Sequence, residues 1–211
     1  MTPPVVPAAG RIVLATRNPG KVAELARLLA GTGITVVSLA EFPAAPEVEE
    51  TGATFAANAL LKAQAAAVHT GLVALADDSG LEVDALAGRP GVYSARFAGP
   101  HASDEDNNQK LISLLTAVPI ARRTARFRSA VAIVTPDGRS EVTDGACKGS
   151  ILHGPRGTDG FGYDPLFLVP ELGKTFAELT MEEKNRISHR GRALRRALQL
   201  LPGLLAQKGR G

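Results

Sequence analysis

The chain has a single cysteine, Cys147, few aromatic residues and no long apolar run, and each shortage removes a class of protein. One cysteine excludes an intramolecular disulfide and suits a reducing compartment. No segment approaches the roughly 20 consecutive apolar residues that cross a bilayer, so no membrane association is expected. The opening MTPPVVPAAG has neither a basic n-region nor a sustained apolar stretch, so a secretory leader is not expected and a cytoplasmic location is. Internal repeats are missing, and so are low-complexity tracts apart from one alanine-rich helical stretch. Only residues 1–10 and 207–211 read as flexible tails. Nucleophilic catalysis lacks its parts too, because His69, His101, His153 and His189 have no partner spacing for a Ser/His/Asp or Cys/His arrangement.

What remains is a chain of 211 residues, long enough for a substantial core and within the range of one α/β domain. Its formal charge is only +3, but Arg and Lys gather at residues 122–128 and 184–196. Such clusters are compatible with an anionic ligand, with nucleic acid, or with a plain solvated surface.

Residues 12–15 read as a buried strand, 21–29 as an amphipathic helix and 35–39 as a second strand. A charged loop follows at residues 47–52. Thr54 caps a helix over residues 54–69 that Gly71 can close. LVALA, before Asp77, has the all-apolar character of a strand covered on both faces. Ser103 starts a helix that Pro119 ends, and residues 126–135 and 140–147 make two strands joined through PDGR. Arg126 and Arg128 share a face with Ala130 and Ala132, so that strand runs from an open end into the core. Thr180, with Glu183 three residues on, caps a last helix that Pro202 ends. The mixed order predicts an α/β fold with a partly antiparallel sheet.

Four stretches carry chemistry. The first, ATRNPGK, leaves a strand and enters a helix, where unpaired backbone N–H groups and the helix dipole favour phosphate. It adds the Thr16 hydroxyl, the Asn18 amide and the Lys21 ammonium. It is not a P-loop, and NPG is also an ordinary turn sequence. The second, ADDSG, places Asp77, Asp78 and Ser79 after the buried strand, where α/β proteins often hold ligands. Two acids there suit Mg²⁺ and the orientation of water, with Glu49 or Glu50 as a further carboxylate; a simple capping turn is the alternative. Asn58 and Lys62, four apart on the alanine-rich helix, share a stripe that faces either a site or solvent. In the third, GTDGFGYDP, glycines let backbone approach a ligand and an aromatic ring can stack on a base, although a core aromatic beside a bulge has the same signature. The fourth, EEKNRISHRGRAL, offers Lys184, His189 and Arg190. These do not share one helical face, so joint contact with a ligand requires a kink near Ser188 or a closely passing helix.

In order, TRNPGK, EETGATFAANALLKA, ADDSGLEVDALAGRPGVYSARFAG, GTDGFGYDPLF and EEKNRISHRGRAL resemble the inosine triphosphate pyrophosphatase family over nearly the whole chain. The resemblance implies an elongated, twisted mixed sheet flanked by helices, two lobes with a central cleft, and a homodimer. It implies hydrolysis of ITP, dITP and XTP to the monophosphate and pyrophosphate, with Mg²⁺ as cofactor. It further implies that Thr16, Asn18 and Lys21 hold phosphates, with Lys62 nearby, and that Arg17, Pro19 and Gly20 belong to the same substrate-binding stretch. Glu50 and Asp78 would bind the metal, with Asp78 also matching the proton acceptor, and Ser79 would contact substrate. Phe161, Gly162, Tyr163, Asp164, Lys184, His189 and Arg190 would form the nucleoside pocket. Ser94 and Arg96 fall in a matching block without a role. An arginine such as Arg190 can select a 6-keto purine, because adenine presents a donor at that position. A non-catalytic purine nucleotide sensor is the rival reading. A nucleic-acid-binding module lacks any recognised motif, so no nucleic-acid partner is expected.

Overall fold

A computed structural model describes residues 10–206. The expected tails, Gly10 apart, lie outside the described residues. The strands are β1 (Arg11–Leu14), β2 (Thr35–Ser38), β3 (Val73–Val83), β4 (Thr124–Val134), β5 (Ser140–Ile151), β6 (Phe167–Val169) and β7 (Lys174–Thr175). The helices are α1 (Pro19–Leu28), α2 (Phe55–Thr70), α3 (Asp104–Leu115), α4 (Met181–Ile187) and α5 (His189–Ala206). The strands form one sheet in the order β2-β1-β3-β4-β5-β6-β7. β1 pairs in parallel with β2 and β3, whereas β6 is antiparallel to β5 and β7, so the sheet is mixed as expected.

Contacts divide the chain into two compact units. Among the described residues, the first takes 10–78, Ala130–Asp144 and 193–206; the second takes Ser79–Ser129 and Gly145–Arg192. In the first unit the apolar runs of β1 and β3 are buried on both faces, which is why they read as continuous rather than alternating. Leu25 of α1 and Ala193, Leu194, Ala197 and Leu201 of α5 pack with Ile12, Leu14, Val73 and Leu75. α1 starts earlier than its apolar pattern suggests, because Pro19 fits the first helical position and Asn18 caps it. α2 has the caps read from sequence: the Thr54 hydroxyl accepts from the Ala57 N–H at 3.1 Å, and Gly71 closes the helix in the left-handed conformation.

Pro202 corrects the sequence reading, since it lies inside α5, which continues to Ala206. A proline there removes one backbone hydrogen bond and costs about 3 kcal/mol. Burial of Leu204 and packing of Leu205 against the same core offset that cost, at about 1.5 to 3 kcal/mol for each fully buried leucine.

In the second unit, Leu81, Leu111, Leu115 and Cys147 surround an aromatic group. Its members are Phe127, Phe167 and Phe176, with centroids 4.6 to 5.4 Å apart. Arg123, almost fully buried, donates to the carbonyls of Leu115, Val118 and Leu152 and so satisfies chain ends after α3. α3 begins at Asp104 behind the Ser103 capping box, as expected, but ends at Leu115, short of Pro119.

β4 and β5 are longer than their patterns suggest, and β6 and β7 are too short to carry one. Gly149 hides the continuation of β5. A Cβ there would lie 2.4 Å from the Leu168 carbonyl oxygen and 2.5 Å from the Phe167 ring, so β6 demands a residue that gives no apolar signal. Gly149→Ala should therefore destabilise the protein by roughly 2 kcal/mol, read as a lower urea midpoint; an unchanged midpoint would show that β6 can yield.

Candidate functional site

Asp77, Asp78 and Ser79 do not follow a strand; they lie within β3, and this corrects the sequence reading. A buried strand tolerates two carboxylates only when each finds a partner. Successive side chains leave opposite faces of a sheet, so the two acids look in opposite directions. Both Asp77 oxygens accept from the Lys21 ammonium of α1, at 3.0 and 3.2 Å. Asp78 accepts from the Asn58 amide of α2 at 3.0 Å, with the Lys62 ammonium 3.6 Å away. α1 and α2 therefore cover opposite faces of the first unit's strands.

Lys62 also meets Glu50, at 2.7 Å, so one ammonium serves both carboxylates assigned to a metal. The Asn58 and Lys62 stripe faces these acids rather than open solvent: Asn58 is fully buried and the Lys62 side chain is 18% exposed. In the opening turn, the Asn18 side-chain oxygen accepts from the Gly20 and Lys21 N–H groups, and the Thr16 hydroxyl accepts from the Asn18 N–H. Arg17 is turned to the Ala45 carbonyl at 3.0 Å. Thr16, Arg17, Ala45 and Lys62 line a hollow of about 320 Å³ in the first unit. NPG is thus a cap, and the two residues before it, Thr16 and Arg17, line the recess.

The second unit assembles the base-end candidates. Phe161 presents its ring, 70% exposed, with the Lys184 ammonium 5.0 Å from its centroid. Lys184 is also paired with Asp164, whose carboxylate accepts from the Phe161 N–H. Burial pushes the Asp164 carboxyl above the usual carboxylate range, against the opposite pull of Lys184. Tyr163, by contrast, is a core residue. Its hydroxyl donates to the Ser94 carbonyl at 2.8 Å, and burial raises its pKa, so its ring offers no open face for stacking. Gly162 is held from α3: its N–H donates to Asp104 and its carbonyl accepts from Asn108 at 2.9 Å. Sequence reasoning missed this support, because Asp104 and Asn108 read only as the polar start of a helix.

The break that joint contact by Lys184 and His189 requires is present at Ser188, which is extended and separates α4 from α5. Its hydroxyl accepts from the Gly191 N–H and caps the new helix. Lys184 and His189 then meet over the same ring, Phe176, at 5.4 and 6.3 Å, while His189 also stacks on Phe127 at 4.9 Å. Arg190, half-buried, is the second residue of α5. The Ser79 hydroxyl donates to that of Ser129 at 2.9 Å. Ser94 has a structural task, accepting from the Leu81 N–H, and Arg96 lies over the Tyr93 ring.

The basic clusters are largely committed. Arg126 pairs with Glu82 and Asp84, Arg128 with Glu82, and Arg196 with Asp144, while Arg192 donates to the Ala146 carbonyl.

Residues 12–200 match the model of the Ham1 family. The dITP/XTP pyrophosphatase of Desulforamulus reducens is 61% identical over 90% of this chain and 95% of its own. That of Geobacter sulfurreducens is 59% identical over 87% and 92%. Among solved structures, a HAM1 protein from Coxiella burnetii superposes with a TM-score of 0.86 at 44% identity, over 91% of this chain and 98% of that one. A nucleoside-triphosphatase / dITP/XTP pyrophosphatase from Mycobacterium abscessus gives 0.76 at 52%, over 89% and 98%. The five sequence blocks all lie within the matched span, and the chain belongs to the Ham1 family.

Proposed function

We propose that this chain hydrolyses the non-canonical purine nucleoside triphosphates dITP, XTP and ITP to the monophosphate and pyrophosphate, with Mg²⁺ as cofactor. The observation that carries the reading is the set of Asp78, Asn58, Lys62 and Glu50: a buried carboxylate oriented by an amide, beside a second acid and a shared ammonium. Relatives at about 60% identity are named dITP/XTP pyrophosphatase.

Splitting the bond between the α and β phosphates asks for in-line water and for neutralised charge on the leaving pyrophosphate, with little covalent work from the protein. Lys21 and Lys62 supply positive charge near the opening turn, and the Thr16 hydroxyl, which accepts from the Asn18 N–H, keeps its own hydrogen to donate to a phosphate oxygen. Asp78 orients the attacking water or takes its proton. Glu50 and Asp78 would hold Mg²⁺: among the described residues no group of three or more His, Cys, Asp and Glu could do so alone, and magnesium typically takes one or two protein carboxylates beside water and phosphate oxygens. Both carboxylates converge on one cationic group, the Lys62 ammonium, so their hard oxygens already face a common point, and a bound Mg²⁺ would take over charge that Lys62 now neutralises. When bound, the metal would neutralise phosphate charge and lower the pKa of a coordinated water.

At the base end, Phe161 supplies a stacking face and Arg190 the donor for a 6-keto group. Tyr163 acts from below, by fixing its loop to Ser94. The same reading carries a homodimer and a cytoplasmic setting. Among the described residues no helix is long and apolar enough to cross a membrane, and burial pushes the Cys147 thiol up to about 11, leaving it unreactive.

Release of pyrophosphate from dITP, XTP, dATP and dGTP tests the assignment. dITP and XTP should turn over about 100-fold or more faster than the others, with activity lost in chelator; equal rates on all four would refute the selectivity, and tight binding without turnover would favour a sensor. Asp78→Asn should lower kcat by about 100-fold or more while nucleotide affinity stays within a few-fold; an unchanged rate would remove Asp78 from the chemistry. Phe161→Ala should weaken binding of dITP about tenfold through lost stacking, and unaltered affinity would exclude the ring from the base site.

A further inference from the structure

Asn58 sits fully buried in a helix whose neighbouring inward positions, Ala59, Ala63, Ala66 and Ala67, are alanines. A polar amide in such a place costs free energy unless both of its ends are bonded. Both are: Nδ2 donates to the Asp78 carboxylate at 3.0 Å, and Oδ1 accepts from the Gly52 N–H at 2.7 Å. The partners fix the orientation of the amide, because a carboxylate can only accept and a backbone N–H can only donate.

The loop end of this bridge is equally constrained. A Cβ on Gly52 would stand 2.6 Å from Asn58 Oδ1, 2.8 Å from Ala57 Cβ and 3.0 Å from the Asn58 nitrogen, so the backbone at Gly52 is seated directly on α2. Glu50 is two residues away, in a tight bend closed by the Thr51 N–H to the Glu49 carbonyl at 3.0 Å. Fixing Gly52 therefore fixes where the Glu50 carboxylate can reach.

We propose that Asn58 is a positioning residue that sets the separation of Glu50 and Asp78, holding one through the loop backbone and the other directly. Lys62, four residues on, meets both acids from the same stripe, so α2 acts as the ruler against which the pair is measured. The inference rests on the proposed hydrolase reading, in which those two acids form the cation site.

The test compares Asn58→Ala, Asn58→Ser and Asn58→Asp with the unaltered protein; the aspartate keeps an acceptor for Gly52 but turns an oxygen toward Asp78. Each should lower kcat on dITP about 10- to 100-fold with KM within threefold, and weaken binding of Mn²⁺ alone, followed by electron paramagnetic resonance, by a similar factor. Gly52→Ala, which keeps the acids and the amide but forces the loop away from α2, should move kcat and Mn²⁺ affinity the same way. Folded variants with both quantities within twofold of the parent, or with KM raised and kcat unchanged, would overturn the proposal. Hydrogen exchange at the Gly52 amide of the unaltered protein needs no substitution: protection is expected, and exchange at the rate of an open loop would also overturn it. If the unaltered protein cleaves no nucleotide, the hydrolase reading fails, while the Mn²⁺ titration and the Gly52 amide still decide the role of Asn58.

Discussion

Two neighbouring carboxylates in the middle of a buried strand have to be neutralised from opposite sides, because adjacent side chains leave a sheet through opposite faces. Each such ion costs several kcal/mol to desolvate unless paired and hydrogen-bonded. β3 meets this demand by recruiting Lys21 from one helix and Asn58 with Lys62 from another. Much of the first unit follows from that requirement. The opening turn has to deliver Lys21 to Asp77, so α1 starts at Pro19, and α2 brings its polar stripe to Asp78 past inward positions that, Phe55 apart, are alanines.

The second unit obeys the same rule with different materials. Asp164 is buried under its own loop, and Lys184 is the cation that makes this tolerable while standing over Phe161 and Phe176. The loop is tied to α3 through Gly162 and to the core through Tyr163. An exposed ring is thereby carried on a braced support, and a flat apolar face can meet a ligand with little loss of conformational freedom on binding.

The fold was legible where local signals were strong. The caps at Thr54, Ser103 and Thr180, the all-apolar run before Asp77 and the PDGR turn each placed an element. Legibility failed where tertiary contacts overrode local chemistry: Gly149 continues β5 because β6 presses on it, and Pro202 stays helical because Leu204 beyond it is buried and Leu205 packs on the same core. Among the candidate site residues, Lys62 meets Asp78 and Lys184 meets Phe161, pairings that no local pattern encodes. The doubt over Lys184 and His189 arose from assuming an unbroken helix, and the extended Ser188 removes it. Tyr163 takes the core-facing option that the sequence left open, since sequence cannot separate a ring facing a ligand from one facing the core. Asn58 left a trace, a polar residue among alanines, but its partners are 6 and 20 residues away in the chain and only folding reveals them.

The lysine shared by Glu50 and Asp78 also bears on how freely this chain can vary. Most inward positions of α2 hold alanine, and exchanges among small residues there would be felt mainly as packing. Position 62 has no such latitude: a neutral side chain would leave two anionic neighbours facing each other across a partly dry gap, and arginine would bring a broad, rigid plane where a slender ammonium now fits. Substitution at this one site is therefore filtered twice, by folding before any nucleotide arrives and by turnover afterwards.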